Sequence, residues 1–169
     1  MKYIGVAAIS IDGFLAKTDH ENIAWNSKED KSHLHKILNA CDGSILGNST
    51  YKAAKKYLDH RKLIIFSRKT EKPRNLNGNH VILNPANTPL KSFVKKLGWS
   101  KVCVLGGSHI YGYFVKHNLL DELYVTVEPV LLGSGVSLLN AQMGVKRMKL
   151  HSVKLLNRQG TILAHYKKK

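Results

Sequence analysis

The stretch Lys101–Leu139 reads KVCVLGGSHIYGYFVKHNLLDELYVTVEPVLLGSGVSLL, and its pattern decides the fold. A short apolar run, Val102 to Leu105, breaks at Gly106-Gly107, and Ile110, Tyr111, Phe114 and Val115 then recur at the spacing of one helix face. The spacing predicts strand, turn, helix. Two residues without side chains stand where the helix begins, and unpaired N–H groups and the positive end of the helix dipole point outward there. The diglycine therefore admits two readings: a cradle for a phosphate oxygen of a cofactor, or a tight turn with no ligand. From Asp121 to Leu132 the chain alternates and then runs apolar like a second buried strand, which Gly133-Ser134-Gly135 ends.

Working outward, Lys149 to Leu156 and Thr161 to Tyr166 flank Asn157-Arg158-Gln159-Gly160, a hairpin signature. Towards the N-terminus, Thr88 as cap and Pro89 in the first turn open a helix that ends near Leu97-Gly98. Val81 to Leu83 and Lys62 to Ser67 read as short strands, with the basic turn Arg68-Lys69 after the second and a loop from Thr70 to Asn79 between them. Gly43 to Leu46 is a strand and Asn48 to Lys56 the helix after it. Ser27-Lys28-Glu29-Asp30 resembles a capping box, and Leu34, Ile37 and Leu38 follow on one face, which predicts a helix from about Lys28 to Asn39. Lys2 to Ile9 reads as a central buried strand, followed by the turn Ser10-Ile11-Asp12-Gly13 and a polar loop to Trp25. Strands alternating with helices, then a run of strands, predict one α/β domain: a central, mostly parallel sheet flanked by helices, with an antiparallel C-terminal hairpin. Ligands of such sheets bind beyond the carboxyl ends of the strands, where this chain presents Ser10, Gly47, Ser67 and Gly106.

The chain has 169 residues, enough to bury a core without staples. Cys41 and Cys103 are far apart in sequence, with no CxxC, and read as two buried thiols in a reducing compartment. The apolar run MKYIGVAAIS is interrupted by Asp12 and Lys17 before it is long enough for a signal or a membrane span, so the expectation is a soluble cytoplasmic protein. The nine histidines show no ligand spacing, and no metal is assigned. The charge is unusual: 27 Lys plus Arg against 11 Asp plus Glu give +16. Such a field attracts polyanions and also concentrates small phosphorylated ligands. The basic residues are spread over Lys52 to Lys56, Arg61 to Arg74, Lys91 to Lys101 and Lys146 to Lys154, which argues against a dedicated nucleic-acid arm while permitting non-specific binding.

The runs GGSHIY and LLDELYVTVEPVLLGSGVSLL resemble the RibD C-terminal domain, the reductase of riboflavin biosynthesis, whose family shares the dihydrofolate reductase-like fold. The N-terminal half is closer to dihydrofolate reductase itself. VAAISIDG is similar to that family's first strand and mobile loop, and AWNSKED to its tryptophan, asparagine and pocket acid. The resemblance implies that Ala8 and Trp25 line the substrate site and that Asp30, beside Thr126 of LYVT, relays a proton. It places Gly47, Ser49 and Thr50 of ILGNSTY at a cofactor pyrophosphate, with Asn48 where the family has arginine. Ser67 and Arg68 of RKLIIFSR would meet the 2′-phosphate end of NADPH, and Arg61 falls where folate's glutamate carboxylate is held. Gly106, Gly107, Ser108 and Tyr111 complete the cofactor set. The chain departs from the riboflavin family at YKAAKK, which lacks an aspartate and proline, and at Asn39, where that family often has an arginine. The deaminase motifs HAE and PCxxC do not occur in it.

The expectation is an NADPH-dependent oxidoreductase. Its substrate would be the phosphoribosylaminopyrimidine of riboflavin synthesis or a relative, with dihydrofolate as the alternative, and the Asp12 to Trp25 loop would close over the site. The rival of another class is a polyanion-binding protein that keeps the fold. Apolar alternation in the C-terminal hairpin would allow a homodimer.

Overall fold

The computed structural model describes residues 1–18 and 24–169. In chain order its elements are β1 (Lys2–Ser10), β2 (Phe14–Ala16), α1 (Lys28–Asn39), β3 (Gly43–Gly47), α2 (Asn48–Leu58), β4 (Leu63–Phe66), β5 (Arg74–Asn77), β6 (His80–Leu83), α3 (Leu90–Lys96), β7 (Lys101–Val104), α4 (Ser108–Lys116), β8 (Glu122–Glu128), β9 (Val136–Ser137), β10 (Met148–Leu155) and β11 (Ile162–Lys168). Nine of the strands form one sheet in the order β10-β11-β8-β1-β7-β3-β4-β6-β5. From β8 to β6 every pairing is parallel, β11 and β10 follow antiparallel at one edge, and β5 is antiparallel at the other.

Strand periodicity explains the layers. Successive side chains of a strand point to opposite faces, so a continuous apolar run is stable only where both faces are covered. In LIIF of β4, Leu63 and Ile65 join Leu46, Cys103, Leu38 and Tyr51 under α1 and α2. Ile64 and Phe66 join Ile45, Val102, Val104, Val94 and Phe114 under α3 and α4. The α/β class, the mostly parallel sheet and the C-terminal hairpin therefore stand as expected, and α1 spans Lys28–Asn39 as its cap and apolar face predict. Among the described residues no helix is long and apolar enough to cross a membrane.

Four local expectations need correction. The Thr70 to Asn79 loop contains strand β5, whose RNLN is exposed throughout and so carries no alternation to read. Asn77 shapes its turn, its side-chain Oδ1 accepting from the N–H groups of Asn79 at 2.9 Å and His80 at 2.8 Å. The loop after β1 includes β2, paired with β9 in a separate two-stranded sheet too short for a periodic signal. Pro89, not Thr88, caps α3, without a side-chain bond. Both cysteines are free; Cys103 is buried as expected, whereas Cys41 is only partly so.

Candidate active site

Because β8, β1, β7, β3 and β4 are neighbours and parallel, their carboxyl ends lie in a row. Glu128, Ser10, Gly106-Gly107, Gly47 and Ser67 stand at or just beyond those ends. The Gly47 N–H donates to the Gly106 carbonyl at 3.3 Å, joining the turns that open α2 and α4. Gly47 and Gly107 are the N-caps of these helices, neither of which has a side-chain cap or an acid in its first turn. Two sets of N–H groups with the favourable dipole end are thus left for an external anion, side by side. The peptide between Gly106 and Gly107 is cis. A Cβ on Gly106, whose φ is +76°, would lie 2.6 Å from the Tyr111 ring, whereas one on Gly107 would meet nothing within 4 Å. One glycine is demanded by packing, and the other leaves open space in front of a helix terminus.

Ser49 is exposed and Thr50 half-buried in the first turn of α2, and Ser108 is buried in that of α4. Ser67 and Arg68 follow β4, the serine half-buried and the guanidinium exposed. Tyr111 is buried and donates its hydroxyl to the Val6 carbonyl of β1. Burial pushes its phenol far above the ordinary tyrosine value, so it is a neutral donor that ties α4 to β1.

On the opposite face, Ser27 caps α1 by accepting the Asp30 N–H at 3.1 Å. The Asp30 carboxyl is buried and accepts from Asn26 Nδ2 at 2.9 Å. Burial raises its pKa above the ordinary carboxylate value; Thr126 and Asn26 pull it down, and the Glu128 charge adds to the rise. Ala8 and Thr126 are register partners on β1 and β8 and share this face. Thr126 Oγ1 forms no well-made hydrogen bond although fully buried, and Trp25 Nε1 and Asn26 Oδ1 are likewise buried without partners. Buried polar atoms are normally paired, so orphans next to a buried acid indicate groups that a ligand satisfies. Two donors, an amide oxygen and a carboxyl suit the edge of a nitrogen heterocycle.

Arg61 is not brought to this cluster. It precedes β4 at the amino end of the sheet, where its Nη2 donates to Asn39 Oδ1 at 2.8 Å. Asn39 lies nine positions after Asp30 on α1, about 13 Å along the helix. Of the lid expected from Asp12 to Trp25, residues 19–23 lie outside the described residues. Asp12 itself accepts from the N–H groups of Leu132 at 3.2 Å and Gly133 at 2.7 Å, anchoring the turn after β1 to the segment after β8.

Sequence reasoning missed Glu128, which is 2% exposed. Its Oε1 accepts from the Ser27 N–H at 2.8 Å and Oγ at 2.7 Å, and its Oε2 from Thr161 Oγ1 at 2.7 Å. A lone acid inside the apolar run VTVEPVLL was the available signal.

Comparison with known proteins identifies a family and a shared fold. The family model for the RibD C-terminal domain matches residues 2–162. The uncharacterized protein YwjB of Bacillus subtilis (strain 168) is 29% identical over 157 residues, covering 87% of each chain. A putative riboflavin biosynthesis protein from Shewanella sp. PV-4 superposes with a TM-score of 0.79 at 18% identity, covering 100% of this chain and 99% of that one. A pyrimidine reductase-like protein from Corynebacterium diphtheriae gives 0.78 at 15% identity, with 98% and 91% covered. RibD of Acinetobacter baumannii gives 0.82 at 18% identity over 99% of this chain and 58% of that one. At such identities the superpositions show a shared fold.

Proposed function

This chain belongs to the RibD C-terminal domain family, and from that premise we propose that it is an NADPH-dependent reductase of a phosphoribosylaminopyrimidine such as 5-amino-6-(5-phosphoribosylamino)uracil. The observation that carries the reading is the pairing of an anion cradle, Gly47 and Gly107 at two uncapped helix starts, with a buried acid among orphaned polar atoms. Gly47, Ser49, Thr50, Gly106, Gly107 and Ser108 would hold the cofactor's pyrophosphate, with Ser67 and Arg68 at its 2′-phosphate and Tyr111 supporting the cradle from below. NADPH, when bound, supplies a hydride. The protein's part is orientation, exclusion of water and delivery of a proton. For a C=N acceptor reduced at carbon, Asp30 would give its proton to nitrogen, so charge and atoms balance. Thr126 Oγ1 would hold the acceptor against Asp30, with Ala8 and Trp25 as the apolar walls.

Dihydrofolate is the second reading, and Arg61 is the observation that favours it. A long substrate with a distal carboxylate would span the about 13 Å from Asp30 to the far end of α1. NADPH oxidation with each substrate separates the two. Saturable NADPH binding is expected, with turnover that falls as pH rises through the raised Asp30 value, because the acid must be protonated to donate. Asp30→Asn should lower turnover at least ~100-fold and abolish that limb. Unchanged turnover across pH in this variant would return Asp30 to helix capping. A protein that ignores NADPH but binds mixed oligonucleotides with a steep salt slope is the polyanion binder instead.

A further inference from the structure

Glu128 is buried to the same degree as Asp30, yet among the described residues no cation pairs with it. A buried carboxylate is expensive unless its oxygens are satisfied by strong donors. Here both are, by donors from segments remote in sequence: Ser27 before α1 and Thr161 before β11. The network continues on both sides. Ser27 Oγ, while donating to Glu128, accepts the Asp30 N–H at 3.1 Å. Asn157 Nδ2 donates to Thr161 Oγ1 at 2.9 Å and to Glu29 Oε2 at 3.1 Å. The start of α1 is therefore held twice against the turn of the C-terminal hairpin, once through Glu29 at the surface and once through Glu128 in the interior.

Serine alone suffices to cap a helix. A charged residue beneath that serine is not required for capping, and its expense calls for another role. We propose that Glu128 is a positioning residue for Asp30, clamping Ser27 and the first turn of α1 to β8 and β11 so that the Asp30 carboxyl is held beside Thr126. The inference rests on the reading of Asp30 as the proton donor only for its catalytic consequence; the clamp itself rests on the distances above. The groups that face Asp30 are Thr126 and Glu128 from β8, and Asn26 and His33 from α1 and the residues leading into it. Burial is the largest influence on Asp30, and the Glu128 charge adds to it.

Two substitutions separate clamp from charge. Glu128→Gln keeps the shape, with an amide oxygen for Ser27 and an amide N–H₂ that can donate to Thr161 Oγ1, but loses the charge. Glu128→Ala loses both. The readout is a carbon-13 NMR titration of the side-chain carboxyls, with the Asp30 signal identified by its loss in Asp30→Asn. In Glu128→Gln the Asp30 titration should move down towards the ordinary carboxylate range while the fold and the α1 amide protection stay as in the wild type. In Glu128→Ala the first-turn amides of α1 should lose protection against hydrogen exchange, and kcat should fall by up to ~100-fold with KM little changed. First-turn protection unaltered in Glu128→Ala overturns the proposal. If neither Glu128 variant folds, Ser27→Ala breaks the same relay at its middle; an unmoved Asp30 signal there overturns it equally. Turnover is scored separately. A shifted Asp30 titration in a protein that reduces no substrate keeps the clamp and removes the reductase reading, and the converse result does the opposite.

Discussion

Thr126 and Asp30 illustrate what a single residue discloses. The resemblance of LYVT and AWNSKED named both, and the capping-box spacing put Asp30 in the first turn of α1, where it lies. Neither cue shows that the Thr126 hydroxyl is buried without a well-made hydrogen bond, which depends on β8 being covered by α1. Leaving such a group unpaired costs about 1–3 kcal/mol. Stability lost at a site that a ligand later fills is consistent with function. Thr126→Val keeps the shape and removes the buried hydroxyl but also takes from Asp30 a neighbour that lowers its pKa, so Tm should change by no more than roughly 4 °C. Turnover should meanwhile drop about 10-fold, since the lost hydroxyl is a partner of the substrate. Differential scanning calorimetry beside an activity assay checks the pair. A larger fall in Tm with full activity would make Thr126 an ordinary part of the sheet. The role of Glu128, though the acid stands out in its apolar run, was illegible for a related reason: its partners Ser27 and Thr161 are 101 and 33 residues away.

At the scale of elements, the legible parts are those with a strong local pattern, such as α1 and the apolar strands β3, β4 and β7. Strand β5 was lost because an exposed edge needs no apolar residues, and β2 with β9 because two or three residues hold no period. The diglycine turn was legible as a turn, but its two possible meanings separate only with the backbone in hand. Gly106 is required by its left-handed φ of +76° and by the Tyr111 ring. Gly106→Ala should therefore lower Tm by at least ~2–8 °C from the backbone term alone. Gly107, with φ of −53° and empty space at its Cβ, has no such requirement. Gly107→Ala should leave Tm close to wild type while raising the Kd for NADPH ~10-fold or more, since the new methyl stands where a phosphate oxygen would approach the α4 N–H groups. Isothermal titration calorimetry and thermal unfolding on both variants distinguish cofactor cradle from plain turn. Equal NADPH affinity in wild type and Gly107→Ala would restore the plain turn.

Over the whole molecule, the fold gathers what the sequence scatters. Residues 48–98, from α2 to just beyond α3, hold 12 of the 27 Lys and Arg and only 2 of the 11 Asp and Glu. Among the described residues none of those twelve cations has an ion pair. The segment supplies α2, α3 and the β4-β6-β5 edge of the sheet and includes Ser67 and Arg68, and a field of this sign concentrates a phosphorylated ligand. The opposite edge is of another character. Leu150, Val153, Leu155 and Ile162 are 50%, 55%, 69% and 39% exposed. The register sets Leu155 against Ile162 and Val127, Val153 against Ala164 and Val125, and Leu150 against Tyr166 and Leu123, all on the side of the sheet away from α1. An apolar sheet face ending in an unpaired strand favours association, and pairing β10 with its symmetry mate would bury it against a second copy of this chain. The expected assembly is a homodimer through β10 and β11. Because each protomer carries +16, repulsion opposes pairing at low ionic strength and is screened as salt is added, so the dimer should tighten from low to moderate salt. That sign is opposite to the weakening expected for an assembly held by ion pairs. Light scattering across a salt series should show the dimer fraction rising, and Val153→Glu with Leu155→Lys should hold the chain monomeric throughout. A wild-type protein that stays monomeric at every salt concentration would leave this face without a second copy as its partner.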